Sequence, residues 1–189
     1  MRGMCRVLMV ACVGMLASAA YGQQVDNPQY QSWSKFKPGT TVTMKSQSET
    51  KMQGMPDPMK SEMTMTSKLV DMKPEEATVE TTTKMVMMGN ESTMPANTMK
   101  VPAKVDSGKA GPAAADMKNV KEGTEKVDVG GKSYNCKTKE YDTEANGSKT
   151  HMKIWTSDEV PGGTVKMEST STGQADTKMT MTLVEVKNP

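Results

Sequence analysis

The chain has 189 residues, with 24 Lys and Arg against 22 Asp and Glu, and three cysteines. This near-balance excludes the basic face that nucleic-acid recognition demands, and so few cysteines exclude a disulfide-stapled scaffold. The length suits one domain with a core of its own.

Arg2 and Arg6 precede an apolar run from Val7 to Ala17, and small residues follow. This is the layout of a secretory signal peptide spanning residues 1–22, cut after Ala20 or Gly22. The run falls short of the roughly 20 apolar residues that a spanning helix needs. Cys12 follows Ala11 as in a lipoprotein signal, but Met9 stands where such signals carry Leu, and a cut there leaves the apolar run too short. The expectation is a periplasmic or secreted protein, with residues 23–189 as a single β-rich domain and no transmembrane segment in the mature chain.

Removing the signal takes both arginines with it and leaves 22 Lys against 22 acidic residues. Cys5 and Cys12 leave too, so Cys136 stands alone, cannot form an intramolecular disulfide, and is expected to be a small buried hydrophobe. The mature chain keeps 17 of the 21 methionines but only two leucines (Leu69, Leu183), one isoleucine (Ile154) and one phenylalanine (Phe36). Met and Val must therefore supply most of the buried apolar surface.

Residues 26–37 predict a short helix, with Asn27 as cap, Pro28 at the first helical position, and Pro38-Gly39 as the stop. Tyr30, Trp33 and Phe36 recur every third residue and give an aromatic stripe that anchors the helix to a sheet. Beyond Gly39 the period becomes two. Val42 and Met44 share one side of a strand, Met63, Met65 and Leu69 share one face of the next, and Ala77, Val79, Met85 and Met87 share one face of a third. Residues 89–118 break the rhythm with Pro95, Pro102, Gly108, Gly111 and Pro112, which predicts a long mobile loop or a linker. Strands are then expected at 124–129, 132–142, 149–156, 164–171 and 177–187, an antiparallel meander with two-residue hairpins at Gly130-Gly131 and Asn146-Gly147. That second turn fixes a register in which Glu140 faces Lys153, Tyr141 faces Met152 and Asp142 faces His151.

Two kinds of chemistry compete for the methionines. Thioethers select Cu(I), and Met52, Met55 and Met59 in a loop could wrap an ion. However, the methionines are spread along the whole chain and alternate with Thr, the pattern of a sheet with Met on its inner face. Met also fills space where Leu and Ile are scarce. Catalysis has little support. His151 and Asp142 form a surface pair, and Cys136 is six residues from Asp142 along its strand, about 20 Å at 3.3 Å per residue. No nucleophile elbow, phosphate loop or zinc-binding helix motif is present.

The stretch HMKIWTSDEVPGGTVKM, with the order of elements before it, resembles exported bacterial proteins built on the plan of the lipoprotein-carrier (LolA/LolB-like) family. That resemblance implies a signal peptide, a short helix and an incomplete barrel whose concave apolar face accepts acyl chains. No carrier arginine can be carried over, because the mature chain has none.

The expected fold is mainly β (α+β), a curved antiparallel sheet forming an incomplete β-barrel with a short N-terminal helix. The expected function is non-enzymatic binding of an apolar or lipid-like ligand, without a cofactor. The candidate face is Met63, Met65, Leu69, Met85, Met87, Met152, Ile154, Met179, Met181 and Leu183. The alternatives are a periplasmic copper(I) binder using Met52, Met55 and Met59 together with the paired strand methionines Met63/Met65, Met85/Met87 and Met179/Met181, or a structural envelope-associated protein.

Overall fold

Asn27 and Pro28 start the helix as the sequence predicts, in a computed structural model that describes residues 24–52, 54–87, 89–106, 117–145, 147–173 and 175–189. The expected signal peptide lies outside the described residues. Helix α1 (Pro28–Ser34) is shorter than the predicted 26–37, and Asn27 Oδ1 accepts the Gln29 N–H at 3.0 Å. Trp33 is buried, with Tyr30 and Phe36 packed against the same core. The Tyr30 hydroxyl donates to the Lys73 carbonyl at 2.7 Å, which ties the helix to the turn before β4.

Among the described residues eleven strands form: β1 (Gln24–Asp26), β2 (Thr41–Met52), β3 (Met59–Met72), β4 (Glu76–Met87), β5 (Asn90–Pro102), β6 (Lys104–Asp106), β7 (Lys118–Val129), β8 (Lys132–Ala145), β9 (Ser148–Thr156), β10 (Thr164–Thr172) and β11 (Ala175–Lys187). Nine of them make one antiparallel sheet in the order β5-β4-β3-β2-β11-β10-β9-β8-β7, while β1 and β6 pair as a separate ribbon. Two meanders, β2 to β5 and β7 to β11, are thus zipped together by β11 against β2. The sheet is not closed into a barrel, and β5 and β7 are its edges.

The C-terminal meander matches expectation down to its register: Glu140 opposes Lys153, Tyr141 opposes Met152 and Asp142 opposes His151. Gly130 and Gly131 have φ of 58° and 81°, the double positive value that a two-residue hairpin of the primed type requires. The stretch 89–118 needs correction. Residues 90–102 are a strand, 104–106 form the ribbon with β1, and 107–116 lie outside the described residues. Pro95 is accommodated because β5 is an edge strand and its ladder shifts register between Thr81 and Thr83 of β4, a bulge at the proline.

Similar register shifts occur in four other ladders, at Leu69/Asp71, Thr164/Lys166, Leu183/Glu185 and Lys118/Lys121. Bulges bend and twist a sheet, and here the bend is large. A β-carbon added at Gly130, in the turn after β7, would stand 3.6 Å from the Val184 carbonyl oxygen of β11. In a flat sheet those strands would lie about 19 Å apart, four spacings of about 4.8 Å. The core gathers at the α1 end, where Trp33, Val42, Met44, Leu69, Val79, Val101, Val165 and Leu183 are buried together.

Candidate functional site: a methionine face without charge

The ladders assign every strand residue to one of two faces, because pairing partners share a face and neighbours alternate. Starting from Met63, the chain of partners runs through Met85, Ser46, Met181, Met167 and Ile154. Fourteen methionines fall on that one face: Met44 and Met52 of β2, Met59, Met63, Met65 and Met72 of β3, Met85 and Met87 of β4, Met94 and Met99 of β5, Met152 of β9, Met167 of β10, and Met179 and Met181 of β11. Only Met44 of these is buried. Met52, Met87, Met94 and Met99 are exposed and the others are half-buried.

Across β2 to β5 and β9 to β11 no charged side chain falls on this face. Its remaining positions are Ser, Thr, Asn and small apolar residues, and the hydroxyls bond one another across strands. Ser48 meets Ser61 at 2.7 Å, Ser67 meets Thr81 at 2.9 Å, Thr150 donates to Ser171 at 3.2 Å, and Thr50 meets Thr177 at 3.2 Å. The Tyr141 hydroxyl donates to the Met152 sulfur at 3.0 Å. Much of the face's hydrogen-bonding capacity is therefore used within the sheet, and its outward character is thioether and methyl.

Across these seven strands the charges collect on the opposite face, in opposed pairs such as Lys45–Glu62, Lys60–Glu49 and Lys153–Glu125, whereas β8 places Lys137 and Lys139 on the methionine side. Glu62 is held below the ordinary carboxylate range by the Lys45 ammonium and then by Gln47. Glu125 is lowered by Lys153 and then by the Trp155 indole N–H, which donates to it at 2.7 Å. Trp155 is buried on this charged face, with the Lys153 and Lys166 ammonium groups 4.6 and 4.9 Å from its ring centroid. Cys136 is also buried here, and burial pushes its thiol pKa up. His151 and Asp142 meet at 2.8 Å on the same side, both solvent-exposed in large part.

Each candidate of the apolar face lies on the methionine side, but they divide by depth. Leu69 and Leu183 are 0% and 2% exposed and belong to the core floor. Met63, Met65, Met85, Met152, Ile154, Met179 and Met181 are half-buried, and Met87 is 45% exposed. The copper candidates sit at the tip of the β2–β3 hairpin, with Met52 and Met59 at strand ends and Met55 in the turn. Met94, Met99 and Met167 join the face without having been singled out. Met94 and Met99 are five apart, an odd spacing that a regular strand would split between faces; the bulge at Pro95 restores them to one. Met167 alternates within its strand like the others, and that signal was available.

A concavity of about 450 Å³ lies elsewhere, between α1 and the β9–β10 turn, with Lys137, Asp158 and Glu159 in its wall. With all of its methionines but Met44 half-buried or exposed, the methionine face is an open surface. No helix among the described residues is long and apolar enough to cross a membrane. No protein-family profile matches the chain, and no curated protein does. Among solved structures the chain is similar to a Bacteroides fragilis protein described as exported and of YmcC-like fold. The identity is 11% and the TM-score 0.48, over 81% of this chain and 97% of that one.

Proposed function

We propose that this is an exported, non-catalytic binding protein that holds an acyl chain or similar apolar ligand along its methionine face. The observation that carries the reading is the uncharged, half-exposed face spanning seven strands. Contiguous exposed apolar surface of this kind marks interaction sites, and methionine adapts its shape to varied ligands. The openness of the face favours a ligand that lies along the sheet. The signal layout of residues 1–22 and the resemblance to lipoprotein carriers support export and an acyl ligand respectively.

The test is titration of the purified protein with a fluorescent fatty-acid analogue, compared between variants charged on one face or the other. Met179→Lys puts an ammonium on the methionine face, and Thr180→Lys puts one on the exposed opposite face. Burial of an unpaired charge under the ligand costs more than about 1.4 kcal/mol, so Met179→Lys should weaken binding more than about tenfold. Thr180→Lys should leave it unchanged. Equal effects from the two faces, or no binding by the parent protein, would refute the reading.

A further inference from the structure

An apolar ligand does not by itself account for which apolar residues build this face. Near α1 the same side of the sheet is made of Val42, Leu69, Val79, Val101 and Leu183, all buried. Farther out, where the surface opens, methionine takes nearly every apolar position. Leucine would line an acyl site equally well, and the chain uses leucine where only packing matters. What methionine adds is a neutral, soft sulfur donor.

The donors are densest on β3 and β4. Met63 stands directly opposite Met85, and Met65 and Met87 are the next residues on the same face of each strand. Directly opposed β-carbons lie about 4.5–5.5 Å apart and diagonal ones about 7–8 Å. Each sulfur sits two bonds beyond its β-carbon on an unbranched side chain with three rotatable bonds. Three of the four thioethers can therefore meet over the Met63–Met85 pair. Met63, Met65 and Met85 are half-buried and Met87 is exposed, so the spot is backed by the sheet yet open to entry.

The ladder neighbours of the quartet are Met44, Ser46, Ser61, Thr83, Asn90 and Ser92. No carboxylate, imidazole or thiol shares this face of β2 to β5, and no three His, Cys, Asp or Glu gather as a metal site among the described residues. Hard divalent cations need charged oxygen or imidazole ligands, whereas thioethers select soft monovalent ions. We infer that Met63, Met65, Met85 and Met87 form a binding site for Cu(I) or Ag(I), held by three thioether sulfurs. The ladder holds this quartet together, which it does not do for Met55 at the hairpin tip.

The probe is Cu(I), titrated anaerobically into the purified protein against a chromophoric chelator. The expected result is one Cu(I) retained per chain, with a sulfur-only shell by X-ray absorption. The double variant Met63→Leu/Met85→Leu keeps volume and apolarity while removing two sulfurs. It should weaken Cu(I) binding by more than about tenfold, a loss that even a disturbed outer shell can cause. Met179→Leu/Met181→Leu should leave Cu(I) binding unchanged. Both leucine variants should keep the parent's thermal unfolding, and the titration contains no fatty acid, so its outcome is independent of the acyl-binding reading. Complete loss of Cu(I) to the chelator, nitrogen or oxygen in the shell, or undiminished affinity in Met63→Leu/Met85→Leu would overturn it.

Discussion

Asp142 illustrates how the charged face organises single residues. Asn119 adopts a left-handed φ of 53° within the β7 register shift, a conformation that asparagine tolerates better than most residues. Its amide donates to Asp142 Oδ2 at 2.6 Å, and His151 Nδ1 lies 2.8 Å from Oδ1. These contacts, Asn119 first and His151 second, hold the Asp142 carboxyl below its usual range. A carboxylate with a lowered folded pKa stabilises the fold above its unfolded value of about 3.9, and that stabilisation fades as pH falls through the lowered value. Asn119→Ala should therefore raise the Asp142 pKa in an NMR titration of its carboxyl carbon. The melting-temperature gap between parent and variant should be widest near neutral pH and close in acid. An unchanged titration would show that Asn119 is not the main cause.

At the scale of elements, α1 is fastened at both ends of its cap residue. Asn27 Oδ1 accepts the Gln29 N–H, while its Nδ2 donates 2.8 Å to the Pro102 carbonyl at the end of β5. Asn27→Ala should destabilise the protein by about 1–2 kcal/mol in denaturant unfolding, through loss of the cap and of one bond to β5. Asn27→Ser, which keeps a cap acceptor but lacks the amide donor, should fall between Asn27→Ala and the parent. This cap was legible because Asn-Pro before an aromatic stripe is a local signal. So was the β8–β9 register, since a two-residue Asn-Gly turn leaves one alignment of the strands. Edge strand β5 was not legible: Pro95, Pro102 and the odd Met94–Met99 spacing all argue against a strand until the β4 ladder is seen to bulge around them. Nor was the burial of Trp155, which depends on β7 curling until Glu125 reaches across β8, a contact thirty residues away in the chain.

On the scale of the whole molecule, alternation placed the methionines on one side, but could not say whether that side was filled. The difference is set by α1 and the β9–β10 turn, which close over one end of the sheet: Gly162 packs against the Trp33 ring, where an added β-carbon would meet it at 3.5 Å. Stability should accordingly reside at that end and the methionine face should contribute little to it. Leu69 is fully buried, so Leu69→Ala should cost about 2–5 kcal/mol. Met87, on the same face but 45% exposed, should tolerate Met87→Ser within about 0.5 kcal/mol. Urea unfolding at neutral pH measures both. Comparable losses would mean that the methionines are themselves core and that no open face exists for a ligand or an ion. A large loss for Leu69→Ala with little for Met87→Ser would mean that the exposed sulfurs are free to be selected for what they bind, independently of what holds the sheet together.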